Sequence, residues 1–499
     1  MTSQRVEAPS TPSPSSSDAA IAIRNGLRLA SSLLATWTVA LVVRFQLPRH
    51  LGPEEFGRFN FCDAFTGGVF SFLGLGVTTY IMKEISIRPA HASDFFGGLL
   101  AVRAALGLLA TGVLLVIFHV SDYAMPVKAL MVVFACCHFV IGINQYLGAI
   151  LQASTEVKAL ASVNVVSKLL WGVGLMAALF SKAPLYVLGL PALAAELVRL
   201  AALVPAARKA VGLAFRVDLA ATKTVILASL PFFANAIALE LGFRIDVTML
   251  EFLTPGPEVG WYSAANGFAG LALILSPVLG WVVMPLLARA HTRSDDELYQ
   301  IVRTSIRGLL IAAIPGALMI AVGADVLVEV AFGASFLPAT NAVRILAPMF
   351  VATYLAILLS MTLVVLQRSW TLTTVSFVAV GVEPLIILLA MWFLKGKGDG
   401  AIASAAAIGL AGSEVITVCL LFYAVGRRAM DLPTASAIGK SLALCAAVVV
   451  LHRALFPLGW WRLLVDAAAY ALGALLTRTV RVSEAIALYE MLRERKRAK

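Results

Sequence analysis

The stretch Leu51-Gly52-Pro53-Glu54-Glu55-Phe56-Gly57-Arg58-Phe59 decides how this chain is read, because it returns in the second half as Pro255-Gly256-Pro257-Glu258-Val259-Gly260-Trp261-Tyr262. Dropping one residue before the second glycine superposes Gly-Pro-Glu, Gly-x-aromatic and a later phenylalanine, Phe65 on Phe268. The same alignment sets Asp63 opposite Asn266. Each copy is a polar turn between two long apolar runs. Chance supplies isolated Gly-Pro-Glu triplets; the extended match favours duplication of one membrane unit.

The apolar runs extend over most of the sequence. Of 499 residues, 60% are hydrophobic and only 13% charged, with a mean hydropathy of +0.90. A soluble domain carries about a quarter charged residues, so the fold class is an all-α polytopic membrane protein. About 14 runs approach the ~20 apolar residues needed to cross the hydrocarbon core. They fall at 27–47, 57–82, 97–119, 126–151, 160–180, 185–205, 223–250, 261–287, 304–332, 343–366, 371–394, 401–425, 436–456 and 460–478.

The net charge of +11 would suggest nucleic acid in a soluble protein. Here no basic stretch is interleaved with aromatics on a polar surface, so nucleic acid is not a partner. The Lys and Arg residues instead set orientation. With the amino terminus inside, the cytoplasmic segments include Lys83–Arg88, Arg208–Lys223, Arg289–Arg307 and the tail Arg493–Lys499, mostly basic; Lys395–Lys397 breaks the trend. Both termini are then cytoplasmic, and both Gly-Pro-Glu turns face outward.

An even number of spans separates the turns, so the halves are parallel repeats about an axis along the membrane normal. The organisation expected is a disordered tail at 1–20, rich in Ser and Pro. Two six-helix bundles follow at 21–207 and 223–430, joined by a linker at 208–222. Two additional helices occupy 431–478 and a basic tail 479–499. The first apolar run lacks a small-residue cleavage site and is read as a retained helix. The five cysteines, at 62, 136, 137, 419 and 445, lie in apolar runs without metal-ligand spacing; they read as small buried residues.

Ionisable residues within spans are costly and face a partner or a wet path unless they snorkel from a helix end. Span seven is the richest, with Asn235, Glu240, Arg244 and Asp246. Glu240 and Arg244 are four apart and can pair along one face. Asp246 lies about 200° round from Arg244 at ~100° per residue, which suggests a helix lining a wet cavity. Lys168 is mid-span near Asn164 and Ser167, too deep to snorkel easily, and Arg44 lies several residues inside the end of span one. Arg28 and Arg103 read as snorkelling from the cytoplasmic side, Glu196 and Arg199 as a local pair, and His138 as a satisfied core residue. Asp63, Glu383 and Glu414 are further intramembrane carboxyls. Asp325 and Glu329 share a face; they read equally as a proton-coupling pair and as a hydrated interfacial one.

No enzyme signature is present. There is no Walker loop, no Gly-x-Ser-x-Gly, no His-Glu-x-x-His and no His/Cys metal set, so no cofactor or metal is called for. A membrane glycosyltransferase or polymerase usually presents catalytic residues on a sizeable outer loop, and every outer loop here is short.

The run Pro48-Arg49-His50-Leu51-Gly52-Pro53-Glu54-Glu55-Phe56-Gly57, then Gly74-Leu75-Gly76, then Lys83-Glu84-Ile85 resembles the start of the Wzx-like polysaccharide flippases. These belong to the multidrug/oligosaccharidyl-lipid/polysaccharide (MOP) exporter superfamily. His50 replaces the aromatic usual there. The second turn and Arg244-x-Asp246-x-x-Met249-Leu250 also match. The resemblance implies a transporter in the bacterial cytoplasmic membrane with two bundles around a cavity that opens to either side in turn. It implies a polyprenyl-pyrophosphate-linked glycan as cargo, H⁺ or Na⁺ as coupling ion, and membrane lipids and polysaccharide polymerase or export machinery as partners. Arg binds pyrophosphate through paired hydrogen bonds, so Arg44, Lys168 and Arg244 are the head-group candidates. Asp63, Asp246 and Glu383 are candidates for ion coupling or for pairing with those bases. A cation-coupled drug exporter and a peptidoglycan-precursor (lipid II) flippase are alternatives of the same fold; the first-helix Arg-Asp motif of the latter is absent.

Overall fold

Both repeat turns pass through backbone that only glycine adopts without strain: φ is 74° at Gly52 and 124° at Gly256. Proline follows each, pre-set for the first turn of the next helix and needing no N–H partner there. The computed structural model describes residues 16–88, 91–154, 157–242, 244–271 and 276–477. The tail up to residue 15, the basic tail from residue 478, and the side chains of Arg28 and Asn235 lie outside the described residues.

Helix α1 (Ser16–Phe72) is two arms meeting at Gly52, and short α2 (Val77–Ile87) continues the second arm beyond a turn. Long helices α3 (Ala92–Val120), α4 (Met125–Ala153), α5 (Val157–Phe180) and α6 (Leu190–Val211) complete the first half. The second half opens with α7 (Leu219–Gly242) and α8 (Ile245–Leu253). Then come α9 (Pro257–Ala269), α10 (Ser276–Arg293), α11 (Asp295–Val322) and α12 (Ala324–Phe332). Helices α13 (Thr340–Leu346), α14 (Met349–Val365), α15 (Ser369–Leu394) and α16 (Ala401–Val425) follow. A last hairpin pairs α17 (Leu432–Ala454) with α18 (Arg462–Leu476).

Among the described residues, eight helices are individually long and apolar enough to cross a membrane; Ala334–Leu346 and Met349–Val365, bent by 42° between them, make a ninth if they count as one span. The reading of about 14 spans is compatible with this, because several runs are broken rather than straight. The runs expected at 223–250, 261–287 and 304–332 divide into α7/α8, α9/α10 and α11/α12. In a membrane, a helix break survives only where protein or a wet cavity satisfies the freed backbone. The first break, at Arg244, borders the cavity described below.

Three hydrophobic cores show how the halves meet. One gathers residues from both halves around the turns, including Leu47, Phe56, Val259, Phe268, Phe332 and Phe336. Phe45 touches both Phe268 and Phe332. Toward the opposite ends of the helices the cores separate. One is built on Val77, Ile81, Ile150 and Leu203 of the first half, the other on Leu287, Val302, Leu363 and Leu421 of the second. The halves are therefore joined at the turn end; away from it α7 of the second half stays with the first, with Val225 in the first-half core and Thr222 packed on Gly98.

The repeat motif makes that junction. Gly57 and Gly260, equivalent in the two copies, pack directly on each other. A Cβ on Gly57 would lie 2.7 Å from the Gly260 nitrogen, and one on Gly260 would lie 2.6 Å from the Pro53 carbonyl carbon and collide with its oxygen. The glutamates diverge in role. Glu54 and Glu55 pair locally with Arg58, each at 2.7 Å. Glu258 accepts from the Gly400 and Ala403 nitrogens at 2.9 and 2.7 Å, holding the start of α16.

The terminal hairpin is tied by charge at both ends. Asp431 caps α17 through the Thr434 nitrogen at 2.8 Å and pairs with Arg307 at 2.7 Å. The Thr434 hydroxyl, then its N–H, then Arg307 and Arg303 hold the Asp431 carboxyl below its ordinary range. At the other end Arg462 bonds Asp325, and His452 bonds Asp466 at 2.6 Å. The expected Asp325–Glu329 like-charge pair is corrected by this contact: Asp325 is taken up by Arg462, a partner far along the chain that shared-face reasoning does not see.

Candidate functional site

A cavity of about 620 Å³ lies between the first arm of α1, its second arm, α5, and the α8–α9 segment. Arg44, Lys168, Arg244 and Asp63 all line it. Four of the intramembrane charges therefore converge on one space: among the described residues, three cations face a single carboxylate. Asn266, the repeat partner of Asp63, lines it too, so the duplication brings two equivalent polar side chains to one cavity.

Each cation is held differently. Arg44 donates to the Gly267 carbonyl at 2.9 Å, and Gly270 leaves room for its guanidinium, since a Cβ there would come within 3.1 Å. Lys168 lies 3.6 Å above the Trp171 ring; this cation–π contact is worth about 2 kcal/mol when desolvated. Arg44 and Lys168 form no ion pair among the described residues, so both charges are available to an anion. Arg244 starts α8 at the helix break, with φ −134°. It donates to Glu240 at 3.4 Å and to the Asp63 carbonyl at 3.3 Å. The expected intrahelical Glu240 pair and the cavity role thus coexist, because the break lets Arg244 reach across to α1. The angular estimate for a continuous span seven does not apply beyond Gly242.

Asp63 pairs with His138 at 2.9 Å. The expectation of a satisfied core histidine holds in that it is bonded, but its partner lies 75 residues away and borders the cavity. Glu196 and Arg199 pair at 3.5 Å as expected, and Asn144 also donates to Glu196 at 2.7 Å.

Asp246 and Glu383 are placed elsewhere. Asp246 is buried, accepts from the Tyr262 hydroxyl and takes the Val247 nitrogen at 2.6 Å. Glu383 on α15 is 3% exposed, and its Oε1 has no hydrogen-bond partner among the described residues. It is in electrostatic reach of Asp246 and of Glu414 on α16. Neither Asp246 nor Glu383 pairs with the cavity bases. The three carboxyls form a separate group in the second half, Asp246 and Glu383 buried and Glu414 partly so.

Arg103 was missed. Rather than snorkelling, it is 3% exposed and donates to the carbonyls of Leu73, His138 and Phe139 at 3.2–3.4 Å. Gly142 leaves the space, because a Cβ there would overlap the guanidinium. Glycine on the facing helix was the available signal.

No curated protein matches the chain in sequence. Among solved structures it is similar to a lipid II flippase, MurJ, in an inward closed conformation: TM-score 0.67, 11% identity, 91% of this chain and 99% of that one. It is also similar to an inward-facing multidrug resistance MATE transporter of the MOP superfamily, with TM-score 0.62, 12% identity and coverage of 79% and 98%. A Vibrio cholerae MATE transporter, VcmN, gives 0.56, 14%, 83% and 100%. At such identities the likeness is one of fold. The family model for polysaccharide biosynthesis proteins matches residues 22–291, more than half of the sequence. With its repeat turns and its charged cavity on a fold like that of these transporters, the chain belongs to the polysaccharide biosynthesis protein family.

Proposed function

We propose that the protein moves a polyprenyl-pyrophosphate-linked oligosaccharide across the bacterial cytoplasmic membrane by alternating access. The observation that carries this reading is the convergence of Arg44, Lys168 and Arg244 on one cavity, with Asp63 its only acidic lining residue among the described residues. A pyrophosphate supplies the missing negative charge, and Arg binds it bidentately. The wall beside the cations is amphipathic, with Trp37, Trp171 and Asn60 among its residues, which suits a sugar better than a flat cationic drug. Lipid tails remain in the bilayer while the head group passes. In the positive-inside orientation both termini are cytoplasmic and the turn end is outside; the joined turns then close the outer side. The two six-helix units proposed at 21–207 and 223–430 rock about that junction.

Clean deletion in the native host is expected to accumulate lipid-linked units on the cytoplasmic leaflet and strip surface polysaccharide. Normal surface polysaccharide, with no second homologue present, contradicts the reading.

Coupling is assigned to the three carboxyls of Asp246, Glu383 and Glu414. Like charges away from water need a counter-charge, and a proton or Na⁺ supplies it. Glu383→Gln keeps shape and removes the titrating group. It is expected to abolish the dependence of transport on an imposed proton or Na⁺ gradient in proteoliposomes, with head-group affinity unchanged. Full gradient dependence in this variant removes these carboxyls from coupling.

A further inference from the structure

A second cavity, about 340 Å³, lies on the far side of Arg244 from the first. It is walled by the second arm of α1, α3, α4 and the end of α7, and Arg244 lines both spaces. The partition is thin. Gly67 faces the Arg244 guanidinium so closely that a Cβ would lie 2.6 Å from Cζ, and 2.9 Å from His138 Cε1. Arg244, His138 and Asp63 thus form a single polar layer, seated on a residue with no side chain.

The second cavity has the furnishings of an anion site. Arg103 borders it, buried, with no ion pair among the described residues; it has long carbonyl contacts and the Tyr146 ring 5.6 Å away, but no anionic partner. A buried cation whose counter-charge is missing is costly. Ser71, Thr78 and Gln145 add neutral hydrogen-bonding groups. Among the described residues, the one carboxylate is Glu240. It accepts from Ser71 Oγ at 3.3 Å and from Arg244 Nε at 3.4 Å. These contacts are long for charge-assisted bonds, which run about 2.7–2.9 Å. Glu240 also keeps nearly half of its side chain exposed, so it can leave.

We propose that this cavity is a docking site for the phosphate groups of the cargo on the side opposite the turns, and that Glu240 holds Arg244 in their absence. A phosphate bound between Arg103 and Arg244 displaces Glu240. Arg244 then passes the anion from one cavity to the other, since its guanidinium already borders both. The inference rests on the pyrophosphate-lipid reading above. In the orientation given there, this is the cytoplasmic station, occupied before the cavity of Arg44 and Lys168.

The test uses the full chain in detergent and geranylgeranyl pyrophosphate as the probe. Glu240→Gln is expected to bind it about tenfold more tightly and Arg103→Gln about tenfold more weakly than wild type, tenfold being ~1.4 kcal/mol. Arg103→Lys keeps the charge should the glutamine variant fail to fold, and is expected to bind more weakly than wild type but more tightly than Arg103→Gln. A thiol introduced by Gln145→Cys, read above the labelling of the five native cysteines, is expected to be protected from a maleimide by the probe. If wild type binds the probe while the Glu240 and Arg103 variants match it and the introduced thiol stays reactive, the second site is refuted and the cargo reading stands. If wild type does not bind the probe at all, both fall.

Discussion

Arg244→Ala is expected to lower polysaccharide export by roughly ten- to a hundredfold at matched membrane expression, because a hydrogen bond to a charged group contributes about 1.5–3 kcal/mol. The size follows from position. Arg244 lines both cavities, touches the Asp63 carbonyl of the other half and sits at a helix break that aims it across the interface. Arg244→Lys restores charge without the planar fork and is expected to recover export only in part. Export per molecule is read from surface polysaccharide against immunoblotted membrane protein. Wild-type export from Arg244→Ala returns the residue to a local pair with Glu240.

Gly260→Ala is the second large effect. The added methyl meets the backbone of Pro53, not a flexible side-chain end, so the turns must separate. Overpacking of this kind costs about 1–3 kcal/mol. A lower thermal midpoint in detergent is expected, together with faster thiol labelling of a Ser263→Cys background from the turn side. Gly439→Ala is the control: a Cβ there meets nothing within 4 Å, and alanine in a helix interior is favourable by about 0.5–1 kcal/mol. An unchanged midpoint in Gly260→Ala contradicts a load on the glycine contact.

The polar turns were legible because glycine and proline mark backbone conformation directly. Their duplication pointed to residues that come together: Gly57 lies on Gly260, and Asp63 and Asn266 line one cavity. Arg44, Lys168 and Arg244 were legible as charges too deep to reach water. What hydropathy does not carry is where a span breaks. The apolar run through Gly242 reads as one helix, and so does that through Gly323, yet both divide. Without the first break, Arg244 and Asp246 appear to share a wet helix; with it, Asp246 turns to Tyr262 and joins Glu383 instead. Arg103 shows a different limit. Distance from a helix end cannot tell a snorkelling side chain from one drawn inward by carbonyls of two other helices.

The central claim is that the cationic cavity selects a pyrophosphate head group and carries it across the bilayer. Its most direct test is purified protein in liposomes with a fluorescent polyprenyl-pyrophosphate oligosaccharide, scored by quenching of the label at the opposite leaflet. Translocation is predicted for the pyrophosphate-linked lipid, with little or none for the same glycan on a neutral linkage. No translocation, or translocation indifferent to the pyrophosphate, contradicts the account.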